Sequence, residues 1–256
     1  MISHALSEGE RYGVLKEANL GGAMLYGPPG TGKTHLARVL AKESAASMIN
    51  ITAAEIESKW TGETEGRIKA LFNLARLLSP CIIFIDEADS LLKARQVDDK
   101  SWERSRISQF LTEMDGLKTQ DRDSNGNHPP PFLILSTNYP SSIDHAIMRR
   151  VPGRFYLGPP TSESRRTIIG SLMRDEDVDP TVHFSDLAKQ TDGFSGSDLQ
   201  TLCVEAASIS QSRLGTYSSR RLVTMADFAN ALYLVRPTIT RQAMKDLERF
   251  AKDYDP

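Results

Sequence analysis

Cysteine is nearly absent: Cys81 and Cys203 are the only two in 256 residues, and both lie in apolar stretches without metal-ligand spacing. That excludes a disulfide-built fold and a thiolate metal centre, and reads as two buried free thiols in a reducing, cytoplasmic setting. No charge sign dominates. A net charge of −2 and a pI near 6.2 argue against the broad basic surface that nucleic-acid binding needs. Long apolar runs are missing too; stretches such as Cys81 to Ile85 are far too short to cross a bilayer. The N-terminus shows no signal-peptide pattern. The chain starts close before its first strand and reads as a piece of a longer protein, so membrane attachment is expected only through segments absent from it. If such a parent is anchored, the cytosolic or the matrix face of an organelle membrane fits. The histidines are scattered and none is assigned to a metal. What remains is an ordinary globular composition, 39% hydrophobic and 25% charged, sufficient for one large domain or two modest ones.

Against that background one stretch stands out. Gly27, Pro28, Pro29, Gly30, Thr31, Gly32, Lys33 and Thr34 fit the pattern G-x-x-x-x-G-K-[ST]. Such a loop folds so that successive backbone N–H groups converge on the phosphates of a nucleoside triphosphate. Its flanks suit phosphate binding. Gly22–Tyr26 reads as a buried strand and Lys33–Ser44 as a helix, whose positive end adds to the amides. Lys33 is placed to reach the terminal phosphates and the Thr34 hydroxyl to sit on Mg²⁺. His35 either touches the ribose or is a solvated helix residue.

Two regions differ in pattern. Up to residue 159, short apolar runs alternate with helical periods, the mark of an α/β fold: a parallel five-stranded sheet with helices on both faces. Strands are expected at Gly22–Tyr26, Met48–Ile51, Cys81–Asp86, Phe132–Ser136 and Arg154–Leu157. Helices are expected at Lys33–Ser44, Glu65–Leu78, Trp102–Asp115 and Ser142–Arg149. From residue 160 onward only helical periods remain, at Glu163–Arg174, Phe184–Gln190, Ser197–Arg213, Met225–Val235 and Thr240–Tyr254, so a small all-helical domain is expected to follow. Ser162, Ser195, Thr224 and either Thr238 or Thr240 stand where N-caps belong. Lys118 to Pro131, rich in turn formers and closing on prolines, reads as a solvated loop.

The strand Cys81–Asp86 ends in two acids. Beside the phosphate loop, it would bring them to the carboxyl edge of the sheet, where ligands of open α/β folds bind. Asp86 is then placed to hold Mg²⁺, and Glu87 to polarise the water attacking the γ-phosphate. The run Phe132–Ser136 leads to Asn138, which either senses the γ-phosphate or simply forms the turn before Tyr139-Pro140.

Gly27–Thr34, Ile-Asp-Glu-Ala-Asp (85–89), Glu-Met-Asp-Gly (113–116), Ser-Thr-Asn (136–138), Met-Arg-Arg (148–150) and Gly-Phe-Ser-Gly-Ser-Asp-Leu (193–199) occur in the order of an AAA ATPase module. From about Leu20 to its end the chain resembles the branch containing katanin, spastin, the ESCRT-III disassembly ATPase and the mitochondrial outer-membrane extractase of tail-anchored proteins. Asp177-Val-Asp and Thr191–Leu199 look most like the last. The resemblance implies an ATPase using ATP and Mg²⁺, assembling as a homo-oligomer, a hexamer with nucleotide, and acting on a polypeptide substrate by translocation, extraction or disassembly.

It implies further residues. Tyr12 and Gly13 would approach the adenine, and Gly196 and Ser197 would cover base and ribose, which makes the helical domain a nucleotide lid. Arg149, Arg150 and Arg154 read from spacing alone as a surface ion-pair set. In the family, arginines matching Arg150 and Arg154 reach a neighbouring subunit's γ-phosphate; Val151-Pro152-Gly153 sets an unusual spacing between these two here. Trp60 in a polar stretch is either an exposed binding element or a cover for a helix end. The resemblance makes Trp60, Thr61 and Gly62 a pore loop gripping substrate, with Thr61 where a hydrophobic residue is usual. A DNA-acting P-loop machine such as a clamp loader fits the near-neutral charge poorly. A guanine-specific switch lacks its Asn-Lys-x-Asp stretch, and a nucleotide-gated structural subunit would not need the full set of Lys33, Asp86, Glu87, Asn138 and arginines.

Overall fold

A computed structural model of the chain describes residues 21–56, 63–94, 101–119, 130–214 and 222–254. By packing, the described residues within 21–27, 33–156 and 250–254 form one compact unit, and those within 28–32 and 157–249 form a second.

The first unit is built on β1 (Gly22–Tyr26), β2 (Ser47–Ile51), β3 (Cys81–Ile85), β4 (Phe132–Thr137) and β5 (Gly153–Tyr156). They pair in the order β2-β3-β4-β1-β5, and every pairing is parallel. The three inner strands are buried along their whole length, which is why they read as unbroken apolar runs rather than alternating ones. The edge strands β2 and β5 are only partly covered. Parallel neighbours need crossovers, supplied among others by α1 (Lys33–Glu43), α2 (Ala53–Ile56), α3 (Glu63–Leu77), α4 (Ala88–Leu91) and α5 (Ser101–Thr119). Phe72 of α3 meets Phe110 of α5 edge to face, ring centroids 6.0 Å apart.

Two boundaries depart from expectation. The expected helix Ser142–Arg149 is a 3₁₀ turn at Pro140–Ser142, then extended Ile143, then the short α6 (His145–Met148). Asp144 caps that helix by accepting from Ala146 N at 2.8 Å. Helix α5 runs on through Gly116 to Thr119, so Lys118 and Thr119 are helical rather than loop.

The second unit holds α7 (Ser162–Leu172), α8 (Phe184–Gln190), α9 (Gly196–Leu214) and α10 (Met225–Leu234), packed around Ile169, Leu187, Leu199, Leu202 and Phe228. It also contains a pair of strands that periodicity missed, β6 (Asp177–Val178) and β7 (Leu222–Val223). Two residues each are too few to show a period. Thr161, not Ser162, caps α7. Thr224 closes a capping box with Asp227 on α10, and Ser195 does the same with Asp198 on α9. The closing helix α11 (Arg241–Tyr254) is capped by Thr240, which accepts from Ala243 N at 3.2 Å. A division at 159/160 would keep α11 whole in the second unit; instead its last turn packs with the sheet. Phe250 meets Tyr26 edge to face, centroids 5.1 Å apart, and stacks on Tyr254.

One glycine matters to how β1 docks beside β4. A Cβ on Gly22 would lie 2.5 Å from the Leu133 carbonyl oxygen and 2.8 Å from Val151 Cγ1. Gly22→Ala should therefore destabilise the protein by about 1–3 kcal/mol, the usual cost of overpacking. Gly66→Ala on α3, where a Cβ meets nothing within 4 Å, should be neutral or stabilising. Urea denaturation of both variants checks this, and a Gly22→Ala chain as stable as the parent would refute it.

Candidate functional site

Strand β1 ends at Tyr26 and the chain turns at once into the glycine loop. Gly30 and Gly32 take φ of +74° and +94°, a region that only glycine enters at little cost. Thr31 Oγ1 donates to the Pro28 carbonyl at 3.0 Å, bracing the loop from within. Gly30 has a second constraint: a Cβ there would lie 2.6 Å from Ser195 Oγ and 2.8 Å from Ser197 Cβ. Ser197 N–H donates to the Gly30 carbonyl at 3.2 Å, and a Cβ on Gly196 would come within 3.1 Å of that same oxygen. The sequence-predicted Gly196 and Ser197 thus lie against the loop's second glycine. Their helix start is pinned by Asp198, whose buried carboxylate accepts from Ser195 N at 2.8 Å and from Thr238 Oγ1 at 2.9 Å.

Helix α1 opens at Lys33, and the ammonium turns back under the loop. Lys33 Nζ donates to the Gly27 carbonyl at 3.0 Å and to Asn138 Oδ1 at 2.7 Å. Asn138 follows directly on β4, which is hydrogen-bonded to β1. The sheet order therefore brings residues 105 apart in sequence to one bond. Burial pushes the Lys33 pKa down from 10.5 to about 8, against the raising effect of Asp86 and then Asp89. Thr34 Oγ1 donates to Asp86 Oδ2 at 2.7 Å. A hydroxyl and a carboxylate on adjacent elements are the hard oxygen donors that Mg²⁺ takes, so these residues fit that ion.

Glu87 is exposed just beyond β3, with φ 49° and ψ 44°, left-handed for a residue that is not glycine. Its N–H donates to Asp86 Oδ1 at 3.0 Å. This strained residue turns the chain out of β3 at the point where α4 begins. His35 is exposed on α1.

The three arginines separate clearly. Spacing alone reads them as an ion-pair set, and Arg150 has its acidic partner 35 residues upstream. Its Nε and Nη2 donate to Asp115 Oδ1 and Oδ2 at 2.7 and 2.6 Å, and Nη1 donates to the Ala146 carbonyl. This bidentate pair raises the Arg150 pKa further above its already high value. Arg154, on β5, donates to the Tyr254 carbonyl at 2.6 Å and lies over that ring. Arg149 is exposed, and among the described residues no hydrogen bond or ion pair engages its side chain. Tyr12, Gly13, Trp60, Thr61 and Gly62 lie outside the described residues. Sequence reasoning missed Asp89, Thr137 and Asp115, although each sits inside one of the motifs quoted above.

A model of the ATPase family associated with various cellular activities (AAA) matches residues 23–159, and one of the AAA+ lid domain matches residues 181–230. Fidgetin-like protein 1 of Caenorhabditis briggsae is 39% identical over 226 residues, 85% of this chain and 37% of the relative. Spastin of Drosophila mojavensis is 37% identical over 241 residues, covering 91% and 31%. The katanin p60 ATPase-containing subunit A1 of Arabidopsis thaliana is 33% identical over 247 residues, covering 91% and 47%. The chain thus spans about a third to a half of these relatives. The crystal structure of the FIGL-1 AAA domain in complex with ADP superposes with a TM-score of 0.79 at 35% identity, covering 94% of this chain and 80% of that one. No described helix is long and apolar enough to cross a membrane.

If Lys33 contacts the triphosphate as the loop pattern implies, its depressed pKa acts on folding and on ligand binding in opposite directions. Between its folded value of about 8 and its unfolded value of 10.5, the unfolded chain holds more protons, so nucleotide-free stability should rise with pH across that window. Anion binding needs the protonated form and runs the other way. Triphosphate affinity measured calorimetrically in EDTA should fall about tenfold from pH 7 to pH 9. A Lys33→Met chain should bind weakly at both values, and a flat profile in the parent would refute the assignment.

Proposed function

The chain belongs to the AAA family of ATPases, whose model spans more than half of it, and from that premise we propose that it hydrolyses ATP and couples the reaction to work on a protein substrate. The observation carrying this reading is the junction of Lys33 with Asn138 and of Thr34 with Asp86. Four groups from the ends of β4 and β3 and the first turn of α1 converge where the glycine loop ends, each with the chemistry that phosphoryl transfer asks of it.

In this reading the loop amides of residues 27–34 cradle the phosphates, and Lys33 gives up Asn138 or the Gly27 carbonyl to contact the terminal ones. Thr34 and Asp86 would hold Mg²⁺, which when bound neutralises phosphate charge. Glu87, exposed at the end of β3, accepts a proton from the attacking water as general base. Asn138, released by Lys33, has its amide to offer the γ-phosphate or that water. Gly196 and Ser197, at the positive start of α9, add donors near the loop. Tyr12 and Gly13 toward the adenine, and His35 toward the ribose, complete the nucleotide contacts proposed.

The arginines are assigned by what already holds them. Arg150 is committed to Asp115 and Arg154 to Tyr254, so among the three Arg149 is the one whose guanidinium no described residue engages. We assign it the reach to a neighbouring subunit's γ-phosphate, with Arg150 as the braced second cation. That role requires a ring of copies, a hexamer in the proposal. Trp60, Thr61 and Gly62 are proposed to grip the polypeptide. The relatives favour the fidgetin-like, spastin and katanin group; the finer likeness to the mitochondrial extractase rests on Asp177–Asp179 and Thr191–Leu199 alone.

Glu87→Gln should retain ATP and lower turnover by about 10²–10⁴, read by filter binding and by phosphate release; equal rates in parent and variant would remove Glu87 from the chemistry. An Arg149→Ala chain should bind ATP and lose turnover by about 10³ or more, while the parent's activity per chain rises with concentration. Mixing Arg149→Ala with Glu87→Gln should restore part of the rate, because one interface then joins an intact arginine to an intact glutamate. Constant activity on dilution with no rescue on mixing would overturn action between subunits.

A further inference from the structure

Two segments carry the groups proposed to handle the attacking water: residues 86–94, with Glu87, and residues 137–144, with Asn138. They are fastened to each other at both ends. At the far end the backbone does it. Asp144 N–H donates to the Leu92 carbonyl at 2.9 Å, Ala94 N–H donates to the Ser142 carbonyl at 2.7 Å, and Lys93 bridges Ile143 in antiparallel fashion. At the near end, beside the reacting groups, a side-chain contact does it. Thr137 Oγ1 donates to Asp89 Oδ1 at 2.5 Å, and the same hydroxyl oxygen accepts Tyr139 N–H at 2.9 Å. Thr137 is 1% exposed and is the last residue of β4, level with Tyr26 at the end of β1.

We infer that Thr137 and Asp89 are a positioning pair, holding Asn138 and Glu87 in register with each other and with the phosphate loop. The inference rests on the ATPase reading. Neither residue is placed to touch nucleotide in it; both act through their neighbours. Thr137 immediately precedes Asn138, and by accepting from Tyr139 N–H its hydroxyl spans the turn in which Asn138 sits. Asp89 lies in the first turn of α4, two residues beyond Glu87, whose left-handed backbone starts that helix. A short hydrogen bond from a buried hydroxyl to a carboxylate is strong and directional, so the two turns move together or not at all. Without it the far-end backbone pairs still keep the segments adjacent, so the fold survives, but the water-handling groups lose their mutual register. A displacement of about 1 Å at such groups costs on the order of 10²-fold in rate.

Two threonine variants divide the possibilities. Thr137→Val keeps the shape and removes the hydroxyl; Thr137→Ser keeps the hydroxyl. Steady-state ATPase, nucleotide affinity and thermal unfolding are measured for both, with Asp89→Ala, the double variant Thr137→Val/Asp89→Ala, and Glu87→Gln as the inactive reference. The expected result for Thr137→Val is a fall in kcat of about 10- to 100-fold with KM and ATP affinity within about threefold. Thr137→Ser should be restored to within about threefold of the parent, and the double variant should be no slower than the slower single one, since both remove one bond. If Thr137→Val turns over like the parent, or if Thr137→Ser is as slow as Thr137→Val, the inference fails while the ATPase reading stands. A fall in ATP affinity matching the fall in rate also overturns it, because the pair would then serve binding. If Thr137→Val does not fold, the comparison of Thr137→Ser with Asp89→Ala decides: equal rates refute the pair, and a fast serine variant beside a slow alanine variant supports it. A parent no faster than Glu87→Gln would instead sink the ATPase reading itself.

Discussion

An ammonium group taken out of water needs acceptors aimed at it, and those of Lys33 include the Gly27 carbonyl and the Asn138 side-chain oxygen. Much of the first unit is arranged to make those two contacts. Strand β1 must end where the loop can double back, β4 must lie beside β1, and α1 must begin at the lysine itself. The contacts only partly offset the loss of hydration, which is why the proton is held less firmly than on an exposed lysine. A phosphate brings more negative charge than an amide oxygen does. In the proposed function Lys33 would exchange Asn138 for a phosphate, and that exchange would free the amide for the attacking water or the γ-phosphate.

The elements near the loop were legible because their signals are local and contiguous. Fully buried parallel strands are unbroken apolar runs, and the eight-residue loop needs only its own glycines to be recognised. Capping boxes at Ser195 and Thr224 are likewise spelled out within four residues. What escaped reading depends on pairing across the fold. Arg150 finds Asp115 on a helix 35 residues away, and Thr137 finds Asp89 at a distance of 48. Neither separation has a period, since the sheet order β2-β3-β4-β1-β5 decides which motifs become neighbours. Short elements were lost for a different reason. The pair β6 and β7 and the turn at Pro140–Ser142 are too brief for hydrophobic periodicity to distinguish them from loop. Thr161 displaced the expected cap Ser162 of α7 because the two adjacent hydroxyls compete for one cap, and only the backbone angle chooses between them.

Two of the three arginines are held on both sides of their charge. A bidentate carboxylate from α5 fixes Arg150, and a helix-terminal carbonyl with an aromatic face, from the last turn of α11, fixes Arg154. Cations held by partners of such different kinds respond to different disturbances. Salt and acid weaken the first, whereas the second depends on whether the helix end stays formed. Arg149, carrying neither restraint, keeps the entropy of a long side chain until something anionic reaches it.

Glu87 holds a backbone conformation suited to glycine, and it holds it in the open, where no packing rewards the choice. Left to stability alone, that position would drift toward glycine or asparagine, which accept the left-handed region with less strain. A redesign scored only on folding free energy would favour that replacement; under the proposed role of Glu87 it would yield a sturdier molecule able to clasp its ligand and unable to let the reaction proceed. On that proposal residue 87 is a place where heat resistance and turnover pull in opposite directions, and where a gain in melting temperature is a warning rather than an improvement.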